Sequence, residues 1–168
     1  IIGSVDLASV GPYQQKVLAS SLMNAGKLKP GKIISSKTDE DLGTTHIRLS
    51  NGATVILKTT NFKNDEIIFR AFSKGGHSLA KDADYYSASY AASVVNQSGL
   101  GDFSAIDLSN MLKGKNTSLS ANIATYSEGM NGATIPRETE TLLQLLHLYF
   151  TAPRKDAGAF ESFKTRQK

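Results

Sequence analysis

Residues 45–60, THIRLSNGATVILKTT, carry the clearest local signal in the chain. Ile47 and Leu49 alternate with polar neighbours, and Val55 and Leu57 fall at the same spacing after a break. A period of two is the mark of a strand with one covered face. Asn51-Gly52 between the runs is the favoured pair for a type I′ turn, in which both central residues need positive φ. The stretch is expected to be a β-hairpin, and its flanks are read outward from it.

Downstream, DEIIFRAFS (65–73) is apolar on both faces except at Arg70 and reads as an interior strand. GGHS (75–78) breaks it. A helix over 84–96 follows, with YYSASYAASVV (85–95) as its body: small, chemically idle residues between the loops GGHSLAKDAD (75–84) and NQSGLGDFS (96–104). SAIDLSNMLK (104–113) makes a second helix, with Ser104 three before Asp107 in N-cap spacing and Gly114 as its stop. TSLSANIAT (117–125) alternates, Leu119, Ala121 and Ile123 inward, Ser118, Ser120 and Asn122 outward, and EGMNGATI (128–135) is a looser strand paired with it. Pro136 opens a long helix in its first turn, with Glu138 and Glu140 near the positive end of the dipole. Only Thr141, Gln144, His147 and Thr151 make a polar stripe on that helix, so it is expected to be covered on more than one side. Pro153 ends it, and a last helix starts near Asp156.

Upstream, PYQQKVLASSLMN (12–24) suits a short helix, and AGKLKPGK (25–32) a solvated linker. Residues 1–32 are thus expected to lead into a compact unit over 33–168. The order strands, two helices, strands, two helices gives the α+β class, with helices packed on an antiparallel or mixed sheet.

Composition bounds the function. The 168 residues, 40% hydrophobic, suffice for one core. No apolar run approaches the length that spans a bilayer. The net charge of +4 is scattered, and its densest group, Lys27, Lys29 and Lys32, lies in the linker, so no nucleic-acid partner is expected. The absence of Cys removes disulfides, thiolate-held zinc and a Cys nucleophile. The first residues carry no initiator Met or basic leader, and the last resemble a helix cut in mid-course, so a piece of a longer protein is expected.

No catalytic pattern is visible in the side chains alone. His46, His77 and His147 are not spaced as ligand pairs and read as solvated or hydrogen-bonded residues, the alternative being a metal site assembled by the fold. GLGDFS (99–104) lacks the Lys of a phosphate loop, and no Ser lies in a G-x-S-x-G elbow. Asp102 and Asp107 flank a helix start and read as capping residues, and Tyr85, Tyr86 and Tyr90 as packing.

The order of these pieces resembles a half-domain of the insulinase/pitrilysin zinc peptidases, which include the mitochondrial processing peptidases. The stretch LSNGATVILKTTNFKNDEIIFRAFSKGGHSLAKDAD (49–84) is similar to the family's L-x-N-G-x-x-V hairpin, strand and glycine loop. SLSANIATYS (118–127) resembles its L-x-A strand, and LHLYFTAP (146–153) its long helix ending in F-x-x-P. The resemblance covers roughly 33–168, and NFKNDEIIFRAFSKGG (61–76) with YFTAPRKDAGAF (149–160) resembles the second repeat of bacterial cell-envelope members. In the family the first helix carries H-x-x-E-H, whose two His hold zinc while the Glu activates water. The pattern laid on this helix puts Ala88, Ala91 and Ala92 at those places, and no His or Glu occurs between Ser78 and Glu128.

The resemblance therefore implies a non-catalytic half-domain, inactive alone and without a cofactor of its own. Zinc is expected in the catalytic half of the same parent chain, a metalloendopeptidase. The implied partners are that half and a peptide substrate, and the implied location is the periplasm or cell envelope. In catalytic halves substrate adds to the edge of the strand matching SLSANIAT, which makes Ser118, Ser120 and Asn122 candidate peptide contacts. The other reading is a non-enzymatic binding or assembly module of the same fold.

Overall fold

The computed structural model describes residues 21–23 and 28–167. Most of the helix expected over 12–24 lies outside them. Ser21–Met23 form a bend, and Leu22, within the stretch read as that helix, is buried against Leu100, Leu145 and Leu148.

Among the described residues six strands form two antiparallel three-stranded sheets. The first joins β1 (Ile33–Asp39), β2 (Thr44–Leu49) and β3 (Thr54–Lys58) in that order. The second joins β4 (Ile67–Lys74), β5 (Ser118–Ile123) and β6 (Ser127–Thr134) in the order β4-β6-β5. Four α-helices complete the described residues: α1 (Tyr85–Ser98), α2 (Ala105–Met111), α3 (Thr139–Thr151) and α4 (Ala157–Arg166). The α+β class and the order of elements are those the sequence predicts.

The hairpin forms, but with another turn. Gly52 N–H donates to Leu49 O at 3.0 Å and Leu49 N–H to Ala53 O at 2.9 Å, so the tight turn closes over Ser50 and Asn51. Gly52, at φ 88°, then takes the left-handed position of a three-residue loop with a bulge. The Asn51 side chain accepts from Ala53 N–H at 3.1 Å and fixes the loop. The same dipeptide serves either turn, and the strand register selects between them.

β4 is an edge strand, not the interior strand its composition suggested. Ile67, Phe69 and Ala71 turn toward the helices, while Ile68, Arg70 and Phe72 are exposed on the other face. The helices cover one face of this sheet only. α1 lies against β5, α3 against β5 and β6, and α4 against α1. Cross-strand register places Phe69, Ala71, Met130, Gly132, Leu119 and Ala121 on the covered face. Leu142 and Leu145 of α3 are almost fully buried, at 2% and 1% exposure. Among the described residues cover on α3 is nonetheless one-sided: Leu143 and Phe150, seven residues apart and so on one helical stripe, are exposed.

The loop leading to α1 is pinned to the β5–β6 turn. Gly75 N–H donates to Tyr126 O at 2.9 Å, His77 N–H to Ala124 O at 3.0 Å and Ser78 N–H to Thr125 O at 2.9 Å, and Gly76 N–H donates to the Glu128 carboxylate. Gly76 sits at φ 67°, and a Cβ there would stand 2.2 Å from Ala124 O. Only glycine allows this approach. At the far end of the frame, Ser104 and Asp107 form the expected capping box at the start of α2.

Candidate functional site

The candidate site has two parts, the N-terminal half of α1 and the β5 strand beneath that helix. On α1, Ala88 and Ala92 are half-buried and Ala91 is exposed. Four residues apart, Ala88 and Ala92 share a helical face. His77, in the loop before the helix, meets Tyr85 edge-on at 5.2 Å between ring centroids, and Tyr85 meets Tyr86 at 5.5 Å. The other histidines are elsewhere: His46 Nε2 is 3.1 Å from Thr44 Oγ1 on β2, and His147 is half-buried on α3. Among the described residues no three His, Cys, Asp or Glu side chains converge as a metal site. The methyl groups of Ala88, Ala91 and Ala92 have no lone pair to donate to a metal.

On β5 the alternation is as read from the sequence. Leu119, Ala121 and Ile123 are half-buried, and Ser118, Ser120 and Asn122 are exposed. The register adds what the sequence withholds. Ser118 lies across from Ala133 and, through β6, from Ile68; Ser120 shares a row with Asn131 and Arg70; Asn122 shares one with Gly129 and Phe72. The three candidate residues thus belong to the uncovered face of the sheet, beside two large exposed side chains. Ile68 is 68% and Phe72 83% exposed.

The backbone edge of β5 has partners of its own. Asn96, near the C-terminal end of α1, accepts from Ala121 N–H at 3.0 Å and donates to Ala121 O at 2.8 Å. Its amide reproduces the two bonds that an antiparallel neighbour would make. The Tyr149 hydroxyl on α3 donates to Asn96 Oδ1 at 3.0 Å and lies 3.2 Å from Leu119 O. Burial pushes the Tyr149 phenol above its ordinary pKa, so it remains a donor. Because Ala121 points its N–H and C=O outward, those of Ser120 and Asn122 point into the ladder with β6. A peptide adding to this edge at Ala121 has to displace the Asn96 amide.

Two further features lie away from this site. Glu138, read as lying near the positive end of the long helix, is buried. Its carboxylate accepts from Asn116 N–H at 2.6 Å and from Thr117 Oγ1 at 3.1 Å, and Thr117 Oγ1 in turn lies 2.8 Å from Thr134 Oγ1. It ties the entry to β5 onto the entry to α3. A cavity of about 490 Å³ opens between α2 and α3, lined by Leu22, Met111, Leu112, Lys115, Arg137 and Gln144 among others. Neither Asn96 nor Glu138 is marked in the sequence by a motif. The spacing of Asn96 at the end of a helix and Glu138 beside a proline says only that each flanks a helix terminus.

Known proteins share this arrangement. No family model matches the chain. A PQQL-like zinc protease of Arabidopsis thaliana is 29% identical over 110 residues, which is 66% of this chain and 11% of that protein. A probable zinc protease PqqL of Haemophilus influenzae is 29% identical over 117 residues, or 70% of this chain and 13% of the relative. The crystal structure of a mutant of the ferredoxin protease FusC, in complex with Arabidopsis ferredoxin, superposes with a TM-score of 0.75 at 26% identity over 89% of this chain and 17% of that one. The periplasmic protease PqqL of Escherichia coli superposes with a TM-score of 0.79 at 22% identity over 95% of this chain and 17% of that one, a likeness of fold. The chain thus spans about a tenth of the curated relatives it matches. By sequence and fold together, its relatives are zinc proteases of the PqqL kind, of the insulinase/pitrilysin family.

Proposed function

We propose that residues 33–168 are a non-catalytic half-domain of a zinc metalloendopeptidase, joined to the rest of the parent chain through 1–32, and that they help enclose and hold a peptide substrate. The observation that carries this is α1. It stands in the frame of an active-site helix, between the pinned glycine loop and the capped α2, yet Ala88, Ala91 and Ala92 stand at the three positions of the family's zinc motif. Methyl groups neither bind a cation nor move a proton. The chemistry would then belong to the catalytic half, whose zinc activates water. This half contributes a wall: the uncovered sheet face with Ser118, Ser120 and Asn122, short polar side chains that hydrogen-bond an extended backbone without demanding a sequence. The periplasmic setting of the Escherichia coli relative supports the same location for the parent.

The purified chain, dialysed and analysed for metal, is expected to retain no stoichiometric zinc and to leave a long peptide intact. The parent protein is expected to cleave that peptide in a chelator-sensitive way and to lose cleavage when 33–168 is removed. Chelator-sensitive proteolysis by the isolated chain overturns the reading. A well-folded parent with no proteolysis at all turns it toward an assembly module.

A further inference from the structure

We infer that the outer strip of β4 is a docking track for an extended polypeptide segment whose every second residue is in turn apolar and acidic. This rests on the reading of the half-domain as a substrate-holding wall, and it names the class of substrate. The strip is Ile68, Arg70, Phe72 and Lys74, alternate residues of one strand that share the uncovered face and are all exposed. Successive members stand about 6.8 Å apart, the repeat of same-side residues in any extended partner.

Three observations converge on such a partner. The first is the state of the two sheet edges. The β5 edge is taken at Ala121 by Asn96, whereas among the described residues no strand pairs with the outer edge of β4. Strand addition therefore has β4 available, and with it a row of main-chain donors and acceptors. The second is charge. The face carries two cations and no carboxylate: its other members are Ala133, Asn131, Gly129 and Ser127 on β6 and Ser118, Ser120 and Asn122 on β5. No ion pair joins Arg70 or Lys74 to an acid among the described residues. Glu128, the carboxylate closest in register, is turned to the covered face and holds Gly76 N–H. The third is the pair of large apolar side chains, Ile68 and Phe72, placed on either side of Arg70. An acid opposite Arg70 with apolar neighbours two residues away on each side satisfies all three side chains at once. Nucleic acid is the other polyanion a cationic face attracts, but it supplies no main-chain partner for a strand edge.

The test uses the parent protein with its metal removed by chelator and two short fluorescent peptides, one repeating Leu-Ser-Glu-Ser, which puts Leu and Glu in turn on one face of a strand, and one with Lys in place of Glu, read by anisotropy. The Glu peptide is expected to bind about tenfold more tightly at low ionic strength, with the preference shrinking as salt rises. Arg70→Glu is expected to abolish or invert the preference and Arg70→Gln to reduce it. Lys29→Glu, on an exposed segment before β1, is expected to leave it unchanged. Equal affinities, or a preference untouched by Arg70→Glu, overturn the inference, as does full displacement of the peptide by a single-stranded oligonucleotide. Chelator-sensitive cleavage without charge preference sinks the docking track and leaves the half-domain reading in place. Charge preference in a parent that cleaves nothing upholds the track and overturns the peptidase.

Discussion

The two edges of the β4-β6-β5 sheet solve the same physical problem in opposite ways. An edge strand presents unpaired N–H and C=O groups that invite another chain. At β5 the invitation is answered from within: Asn96 supplies a donor and an acceptor to Ala121, and Tyr149 braces Asn96 from the neighbouring helix. At β4 no strand among the described residues pairs with the outer edge, and Ile68 and Phe72 are exposed. The difference teaches that strand-edge chemistry in this fold depends on what the helices place beside the edge, and only secondarily on the strand's own residues. The largest expected effect follows from removing the closure. Asn96→Ala deletes both bonds to Ala121 and leaves Tyr149 with a poorer partner, in a half-buried place where water reaches incompletely. A loss of about 2–3 kcal/mol is expected, read from the denaturant midpoint. Faster hydrogen exchange at Ala121 localises it. An unchanged midpoint would mean that the Asn96 bonds exchange freely for water, and the contrast between the edges would vanish.

Tyr149→Phe sharpens the same comparison at smaller cost. The ring and its packing stay, and only the hydroxyl donor to Asn96 goes, for about 1 kcal/mol. The pH dependence gives a signature. Burial raises the Tyr149 pKa above its ordinary 10.0, so the folded state favours the protonated phenol. The stability it contributes is fully present below the unfolded value and is lost as pH rises through the folded one. The gap between the parent sequence and Tyr149→Phe should be flat from about pH 6 to 9 and close only above about 10. A gap that varies near neutrality would point to another titrating group as the support of Asn96.

Much of the fold was legible in the sequence because it is local. Alternation located β5, the dipeptide Asn51-Gly52 located a hairpin, and Ser104 with Asp107 located the start of α2. The alanines of α1 were legible only against a family pattern, since small residues on a helix say nothing alone. What escaped was non-local. The apolar run at β4 reads the same whether both faces are buried or one lies open, so its edge position was hidden. The three-residue turn at Ser50–Gly52 was decided by register rather than by its residues. Asn96 and Tyr149 meet β5 across 25 and 30 residues of chain, and Glu138 meets Asn116 across 22. No short window contains any of these pairs.

The smallest expected effect tests the open side of the comparison. Phe72 is the most exposed large apolar side chain of β4, at 83%, and its cross-strand neighbour on the same face is Gly129, which offers no side chain to pack against. In the isolated chain Phe72→Ser should therefore change stability by no more than about 0.5 kcal/mol, because an exposed ring gives up almost no burial on truncation and only strand preference is lost. The value distinguishes two explanations of an exposed aromatic. If the ring is held ready for a partner, the substitution is silent in the isolated chain and appears only as weakened peptide binding by the parent. If the face is already covered in solution, the same change costs well over 1 kcal/mol in the denaturant midpoint, as burial of most of a phenyl ring demands. A loss of that size would show β4 to be as closed as β5, by a contact other than the Asn96 amide.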